Sequence, residues 1–283
     1  MAMAKKAVEL HSHDFAWEDL ARVCEPQIRS HGEAEDGTHG DDEDCGEDGE
    51  GEECWGRVAK ENWNVFHQKN NGKVYKPRNY LVQEFPELTS MEQDTVQLLE
   101  LGCGYGSAVF PILAECPKVH AQVCDFSAHA IDILQQNPLY DASRCRAFVC
   151  DIAQEEFAGV TPGSIDIVLM VFVMSALLPA SFATTLQKVY NALRPGGIVC
   201  FRDYGLYDLA MMRNAKMLSK SLYYRSDGTL AYFFSKEDLV EYFERQTGFL
   251  PLENEYCTVR LKNRKRNVVM DRVWLHAKFQ KPL

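Results

Sequence analysis

A glycine turn is the feature of this sequence best suited to holding a ligand. The hydrophobic run Val96–Leu101 predicts a strand, and glycines follow it at positions 102, 104 and 106. Glycine lets the backbone turn tightly and approach a ligand at the carboxyl edge of a sheet. Taken alone, the motif is also compatible with a tight strand–helix turn that binds nothing.

Two aspartates follow the next two predicted strands. Asp125 comes directly after Val119–Cys124, and Asp151 comes directly after Cys145–Cys150. A carboxylate can accept hydrogen bonds from both hydroxyls of a ribose or from the amine of adenine. Each aspartate alone would more often cap a helix. Together with the glycine turn, they predict an adenosine pocket at one edge of a sheet.

The elements that must position these residues alternate between strands and helices from position 95 onward. Ile165–Val173 is almost continuously apolar, as expected for the buried centre of a parallel sheet. The other predicted elements are helices at 108–115, 128–136, 182–193 and 235–248, and strands at 198–201, 255–261 and 267–278. The last two strands predict a terminal hairpin. This order predicts an α/β protein with a Rossmann-like, doubly wound sheet.

The charge is distributed unevenly along the 283 residues. The formal net charge is −11, which taken as a whole argues against a nucleic-acid partner. Twelve of the 41 acidic residues lie between Glu33 and Glu53, where there is no Lys or Arg, and the rest of the chain has 29 acidic and 30 basic residues. We expect the acidic insert at 33–53 to be disordered because it lacks apolar residues. The folded part is therefore close to neutral.

The N-terminal third offers fewer signals. A short helix is predicted at Phe15–Val23, ended by Pro26, and a second at about Arg57–Lys69. We divide the chain into an N-terminal extension (1–53), a basic and aromatic segment (54–93) and an α/β domain (94–283). The ten scattered cysteines form no CxxC pair, which predicts reduced, mostly buried thiols and no metal site. We expect no secretory signal, mitochondrial presequence or membrane span, and a location in the cytoplasm or the nucleus.

The spacing of the glycines in the turn distinguishes between two possible cofactors. NAD and S-adenosylmethionine both require this geometry, but the NAD fingerprint places its third glycine at i+5, whereas Gly106 lies at i+4. With Leu193–Gly197 before a strand and the terminal hairpin, the sequence resembles the class I S-adenosylmethionine-dependent methyltransferases from about Thr95 to Lys281. That resemblance implies a seven-stranded sheet, and Glu100 close to the sulfonium.

Segments that flank this fold resemble a narrower family, the eukaryotic tRNA N3-methylcytidine methyltransferases, which modify cytidine 32 of the anticodon loop. They are Asn62–Phe66, Tyr75–Tyr80, Glu84–Leu88, Asn137–Tyr140, Phe201–Asp208 and Tyr232–Phe234. The resemblance runs from about Arg57 to Leu283 and implies an N-terminal RNA-binding extension. It implies cofactor contacts by Trp63, His67, Gly102, Gly104, Gly106, Asp125, Asp151 and Met170. An aromatic residue is usual where His67 stands, and Tyr80 replaces a common tryptophan.

Four residues are candidates for acting on the target base. Cytosine N3 has a free lone pair, so methyl transfer requires an extruded, oriented base rather than a strong general base. Asp203 is our candidate for stabilising the positive charge that develops on the ring, with pairing to Arg202 as the alternative. Phe66 and Tyr204 are candidates for stacking on the base, and so is Tyr207, for which a core position is an equal alternative.

Basic residues are the candidates for contacts to RNA phosphates. They are Arg57, Lys60, Lys69, Lys73, Lys76, Arg78, Arg213, Lys216, Lys220, Lys262, Arg264, Lys265 and Arg266. A solvated face is the alternative for such runs. The predicted partner is the anticodon stem-loop of a tRNA, and in the family some members also need an aminoacyl-tRNA synthetase or another subunit. The competing functions are methylation of a protein or small molecule, and a catalytically silent tRNA-binding subunit.

Overall fold

Seven strands form one sheet in the computed structural model, which describes residues 13–35, 51–70, 76–213, 216–263 and 268–283. They are β1 (Val96–Leu101), β2 (Val119–Asp125), β3 (Cys145–Val149), β4 (Ile165–Val171), β5 (Leu193–Tyr204), β9 (Leu250–Asn263) and β10 (Val268–Gln280). Their spatial order is β3-β2-β1-β4-β5-β10-β9. The first five are parallel, and β10 is antiparallel to both β5 and β9. The predicted doubly wound sheet and its terminal hairpin are confirmed.

The centre of the sheet is covered on both faces. Every residue of β4 is buried. Successive side chains point to opposite faces, so Val168 and Met170 join one apolar cluster while Ile167 and Leu169 join the other. Burial on both sides explains the continuous apolar run in the sequence. The carboxyl ends of β1 to β5 are thereby held at one edge of the molecule.

The helices of the sheet agree with the sequence prediction to within a few residues. They are α5 (Val109–Glu115), α6 (Ala128–Gln135), α7 (Phe182–Ala192) and α8 (Lys236–Leu239), with short helices α3 (Leu81–Glu84) and α4 (Glu87–Ser90) ahead of β1. Helix α8 begins at a reciprocal cap between Ser235 and Asp238 and continues as a π-helix over Val240–Gln246. Turns of 3₁₀ helix occupy Met174–Ala176 and Pro179–Ser181.

The first helix is longer than predicted. Helix α1 spans Trp17–Glu35 and passes through Pro26, so the predicted end at this proline is wrong. Proline disfavours a helix interior, but tertiary packing holds this one: the Trp17 ring stacks on Tyr256 at 4.4 Å, and Ile28 joins a small apolar cluster. Within the acidic insert, residues 33–35 end α1 and residues 51–53 begin the next helix; residues 36–50 lie outside the described part of the chain.

Helix α2 (Gly51–Asn70) confirms the predicted second helix and begins earlier. It packs on a three-stranded sheet that the sequence did not predict, formed by β6 (Lys216–Ser219), β7 (Leu222–Tyr224) and β8 (Leu230–Tyr232). The Asn62 amide donates to the Gly228 carbonyl at 2.9 Å, and the Trp55 and Tyr224 rings lie 4.7 Å apart. Strands of three or four residues are too short to show a hydrophobic period.

The described cysteines are mostly free. Eight of them are free and buried, in line with the prediction, but Cys54 is disulfide-bonded, so that prediction is wrong at this position. Within the described ranges, no group of three His, Cys, Asp or Glu side chains could hold a metal ion. No helix in those ranges is long and apolar enough to cross a membrane.

Candidate active site

A cavity of about 1010 Å³ opens at the carboxyl edge of the parallel strands. The glycine turn after β1, the aspartates that end β2 and follow β3, and the segment after β4 all line it. Helix α2 covers it from the other side through Trp63 and His67. Functional pockets of open α/β sheets lie at this edge, where the loops after the strands converge.

The three glycines of the turn have different roles. All have positive φ: 66° at Gly102, 51° at Gly104 and 86° at Gly106. A Cβ at Gly102 would lie 2.4 Å from Val173 Cγ2, and one at Gly106 would lie 2.3 Å from the Phe110 ring. A Cβ at Gly104 would meet no atom within 4 Å. Gly102 and Gly104 line the cavity, whereas Gly106 is not among the lining residues and lies against Phe110.

Asp125 and Asp151 lie side by side at the ends of neighbouring strands. Asp125 accepts hydrogen bonds from the backbone N–H of Gly104 at 2.9 Å and of Ser127 at 3.0 Å, so it also holds the glycine turn. Burial raises the pKa of its carboxyl, and the nearby His67 opposes that rise. Asp151 pairs with Lys60 Nζ at 2.5 Å. Both carboxylates line the cavity, as the sequence predicts.

Helix α2 brings polar atoms without partners to the cavity. Trp63 Nε1 and His67 Nδ1 are buried and have no hydrogen-bond partner among the described residues. The Tyr105 hydroxyl donates to the His67 carbonyl at 2.7 Å and fixes this part of the helix. Burial lowers the pKa of His67, so its ring is neutral at pH 7. Buried polar groups usually have a partner, which makes these two atoms candidates for contacts to a ligand.

Two predicted cofactor residues lie away from the cavity. Glu100 is buried beneath the glycine turn, where burial raises the pKa of its carboxyl to about 8. Its carboxyl is therefore mainly neutral at pH 7, and its contact with a sulfonium stays a prediction. Met170 is fully buried in the apolar cluster on one face of the sheet. Neither side chain is among those that line the cavity.

The end of the cavity formed by β4, β5 and β10 is aromatic. Phe172, Tyr204 and Trp274 line it; the Phe172 ring lies 5.0 Å from Tyr204 and 6.4 Å from Trp274. The sequence predicts Tyr204 here, but not Phe172 or Trp274. Phe66 instead packs on Trp63 at 5.3 Å, and Tyr207 is buried beside Trp17, so neither lines the cavity. For Tyr207 the core alternative is the one the structure shows.

Asp203 lies beneath the cavity rather than in its wall. It is fully buried and accepts hydrogen bonds from the backbone N–H of Ser175 at 3.0 Å and of Tyr204 at 2.9 Å. Burial raises its pKa to about 6. The alternative pairing with Arg202 is wrong because Arg202 pairs with Glu84. Ser175 and Tyr204 both line the cavity, so Asp203 positions its wall, while the Asp203 side chain itself is not among the lining residues.

The basic candidates that the structure describes divide into two groups. Arg57, Lys60 and Arg78 line the cavity, together with Arg225 and Arg272, which the sequence did not reveal. Lys69, Lys76, Arg213, Lys216, Lys220 and Lys262 are exposed but lie outside the cavity. Lys73, Arg264, Lys265 and Arg266 lie outside the described residues. Arg272 and Trp274 share one face of β10, so the alternation of that strand was the signal that could have revealed them.

The fold and this cavity define a class I methyltransferase. A family model described as "Methyltransferase domain" matches residues 99–199. A solved Burkholderia thailandensis 1,6-didemethyltoxoflavin-N1-methyltransferase, with S-adenosylhomocysteine bound, has a TM-score of 0.51 and 15% identity over 85% of this chain and 94% of its own. At that identity the likeness concerns the fold alone.

Proteins with similar sequences show to which family of methyltransferases the chain belongs. The human tRNA N(3)-cytidine methyltransferase METTL6 is 41% identical over 230 residues, which cover 79% of this chain and 81% of the relative. The chain therefore belongs to the tRNA N(3)-cytidine methyltransferase family. A Dictyostelium discoideum protein named O-methyltransferase 3 is 40% identical over 75% of this chain and 50% of its own length.

Proposed function

We propose that this protein is an S-adenosylmethionine-dependent tRNA methyltransferase that forms 3-methylcytidine at position 32 of the anticodon loop. The observation that carries the proposal is the 41% identity to a tRNA N(3)-cytidine methyltransferase over about four fifths of both chains. The predicted segments after β1, β2 and β3 also meet at one cavity, so the family resemblance is matched by a site.

The cavity residues fit the cofactor. In this proposal Asp125 accepts from the ribose hydroxyls and Asp151 from the adenine amine; both line the cavity, and Gly104 leaves room for the ligand to approach the backbone. Phe126 follows Asp125 and offers an apolar ring on the same wall. Trp63 Nε1 and His67 Nδ1 supply two buried polar atoms with no partner among the described residues. When bound, S-adenosylmethionine supplies an electrophilic methyl group.

The charge of the cavity suits an RNA substrate despite the net charge of −11. Arg57, Lys60, Arg78, Arg225 and Arg272 are basic side chains that line the cavity, against the two carboxylates of Asp125 and Asp151. Lys69 and Lys76 extend the basic surface beyond it. Phosphate contacts require such side chains and supply most of the salt-dependent affinity for nucleic acids.

The chain's residues position the reaction rather than supply strong acid–base chemistry. Cytosine N3 is already nucleophilic at neutral pH, so the protein must hold an extruded base in line with the methyl group. Tyr204 lies in the wall, and its backbone is fixed by the buried carboxylate of Asp203. In this scheme the basic side chains that line the cavity hold the RNA backbone. Asp203 is a positioning residue in this scheme.

The test is methylation of total tRNA from a strain that lacks the cytidine-N3 activity, followed by mass spectrometry of the nucleosides. We expect 3-methylcytidine to appear with the purified chain and S-adenosylmethionine, and to be absent with the Asp125→Ala variant. Labelling of RNA without 3-methylcytidine would overturn the proposed product. If the isolated chain is inactive, adding cell extract from the same strain tests whether it needs an aminoacyl-tRNA synthetase or another subunit.

The name of the Dictyostelium relative favours one competing function, methyl transfer to a small molecule or protein. A direct comparison of methyl acceptors separates the two, because the proposed enzyme labels tRNA and leaves small hydroxylated molecules unlabelled. A catalytically silent subunit would bind neither S-adenosylmethionine nor its demethylated product in calorimetry. We propose a cytoplasmic location, which fluorescence microscopy of the tagged chain tests directly.

A further inference from the structure

Phe172 has a backbone conformation that side-chain-bearing residues rarely adopt. Its φ is 56°, and within the described part of the chain only Tyr207 is another non-glycine residue with positive φ. In this region the Cβ atom crowds the backbone carbonyl. The Phe172 N–H donates to the Arg202 carbonyl at 2.8 Å, which holds the strained conformation in place. Such strain persists at sites where the surrounding structure requires it and often marks a functional residue.

The strained conformation places the ring in the cavity wall. Phe172 is the first residue after β4, whose residues are all buried, and its side chain lines the cavity next to Tyr204 and Trp274. The Arg78 guanidinium lies 5.3 Å from the centre of the ring. The ring is half-buried: one part packs against an apolar cluster of the sheet, and the rest faces the cavity.

The cavity therefore has an aromatic ring at each end. Phe126, after β2, lies beside Asp125 and Asp151, the two carboxylates suited to adenosine. Phe172, after β4, lies with Tyr204 and Trp274, and β1 separates β4 from the strands β2 and β3 that carry those carboxylates. The proposed reaction brings two heterocycles together, the adenine of the cofactor and the target base. Each ring can then serve one heterocycle.

We propose that Phe172 is the surface on which the extruded target base stacks, and that its left-handed backbone is what presents the ring to that base. This inference deepens the proposed function and rests on it. An extruded base loses its stacking in the RNA, and an aromatic side chain restores an equivalent contact. Because any base has a flat face, Phe172 would supply affinity and orientation, and polar groups would supply the choice of cytosine.

The experiment compares three substitutions at this position. Phe172→Leu removes the ring but keeps an apolar side chain, and we expect kcat/KM for an anticodon stem-loop to fall about tenfold or more. Phe172→Tyr keeps the ring and should retain activity within about threefold. Phe172→Gly also removes the ring but relieves the strain, so its melting temperature should equal or exceed that of Phe172→Leu while its activity is equally low.

Phe126→Leu is the matched control at the other end of the cavity. It should weaken binding of S-adenosylhomocysteine in calorimetry, whereas Phe172→Leu should leave that dissociation constant within about twofold of the wild type. Unchanged kcat/KM in Phe172→Leu, or equal losses in the Leu and Tyr variants, would overturn the stacking role. Loss of cofactor affinity in Phe172→Leu would equally overturn it. Failure of the wild-type chain to methylate the stem-loop would instead refute the proposed function.

Discussion

Asp208 holds Arg272 at the wall of the cavity. The Arg272 Nε atom donates to Asp208 Oδ2 at 2.8 Å, across 64 positions of the chain. The same oxygen accepts from the Val273 N–H at 2.8 Å, and the other oxygen accepts from the Ala210 N–H at 2.8 Å. Asp208 is fully buried. The last residue of the distinctive segment Phe201–Asp208 thus orients a basic side chain that no sequence motif identifies.

Asp208→Asn should release this guanidinium. The amide keeps the shape of the carboxylate but loses its charge and one acceptor, so we expect the free energy of unfolding to fall by about 2 kcal/mol. Affinity for the anticodon stem-loop should fall with it, while affinity for S-adenosylhomocysteine is retained. Urea unfolding and fluorescence anisotropy measure the two effects. If the losses in RNA affinity from Asp208→Asn and Arg272→Ala simply add in the double variant, the two residues do not act as a unit.

Glu100 should make stability depend on pH. Burial raises its pKa from 4.5 to about 8, so the folded protein holds this proton more tightly than the unfolded chain does. The contribution of the Glu100 carboxyl to the free energy of unfolding is fully present below about pH 4.5 and is lost as the pH rises to about 8. The stability of Glu100→Gln relative to wild type should increase by up to about 1.4 kcal/mol per pH unit in that window. Urea unfolding from pH 5 to 8 measures it; a constant difference would contradict it.

Asp125→Asn tests the cofactor end of the cavity. The asparagine side chain retains one acceptor for the glycine turn but lacks the charged carboxylate that would accept from the ribose hydroxyls. The dissociation constant of S-adenosylhomocysteine should therefore rise at least tenfold. Isothermal titration calorimetry measures this rise. Glu92→Gln removes one negative charge from an exposed position outside the cavity and serves as the control. Equal effects of the two variants would show that net charge, not the site, controls the affinity.

The sequence predicted the residues that the backbone itself places, and it missed those placed by tertiary contacts. Gly102, Asp125 and Asp151 sit at fixed offsets from strand ends, so a strand–turn–helix pattern locates them at one edge. The depth of Glu100 depends on how the turn folds over it, which periodicity does not encode. Arg225 lies near the very short strands of the small sheet, which show no period. Trp274 reaches the cavity from the last strand, where only the alternation of side chains marks its face.

Exposed lysines outside the cavity should contribute to RNA affinity without affecting the chemistry. Lys69, at the end of α2, and Lys76 are both exposed. Replacing each with alanine should weaken binding of the anticodon stem-loop and reduce the slope of log affinity against log salt by about 1 for each phosphate that is no longer neutralised. Filter binding at several salt concentrations measures the slope. Lys118, exposed at the start of β2 on the opposite edge, is the control, and an equal reduction from Lys118→Ala would refute a localised RNA surface.

Lys60 should affect the two ligands in opposite directions. Its ammonium pairs with Asp151 at 2.5 Å, and both side chains line the cavity. Because the adenine amine and Lys60 compete for one carboxylate, Lys60→Met should tighten binding of S-adenosylhomocysteine. The lysine is about half exposed, with 45% of its side-chain area accessible, so we expect a gain of about twofold to fivefold.

The Lys60→Met variant also removes a cation from the cavity and should weaken binding of the stem-loop. Calorimetry and anisotropy measure the two affinities, with Lys69→Met as the control that weakens RNA binding alone. If Lys60→Met binds both S-adenosylhomocysteine and the stem-loop more weakly, Lys60 does not compete with the cofactor for Asp151.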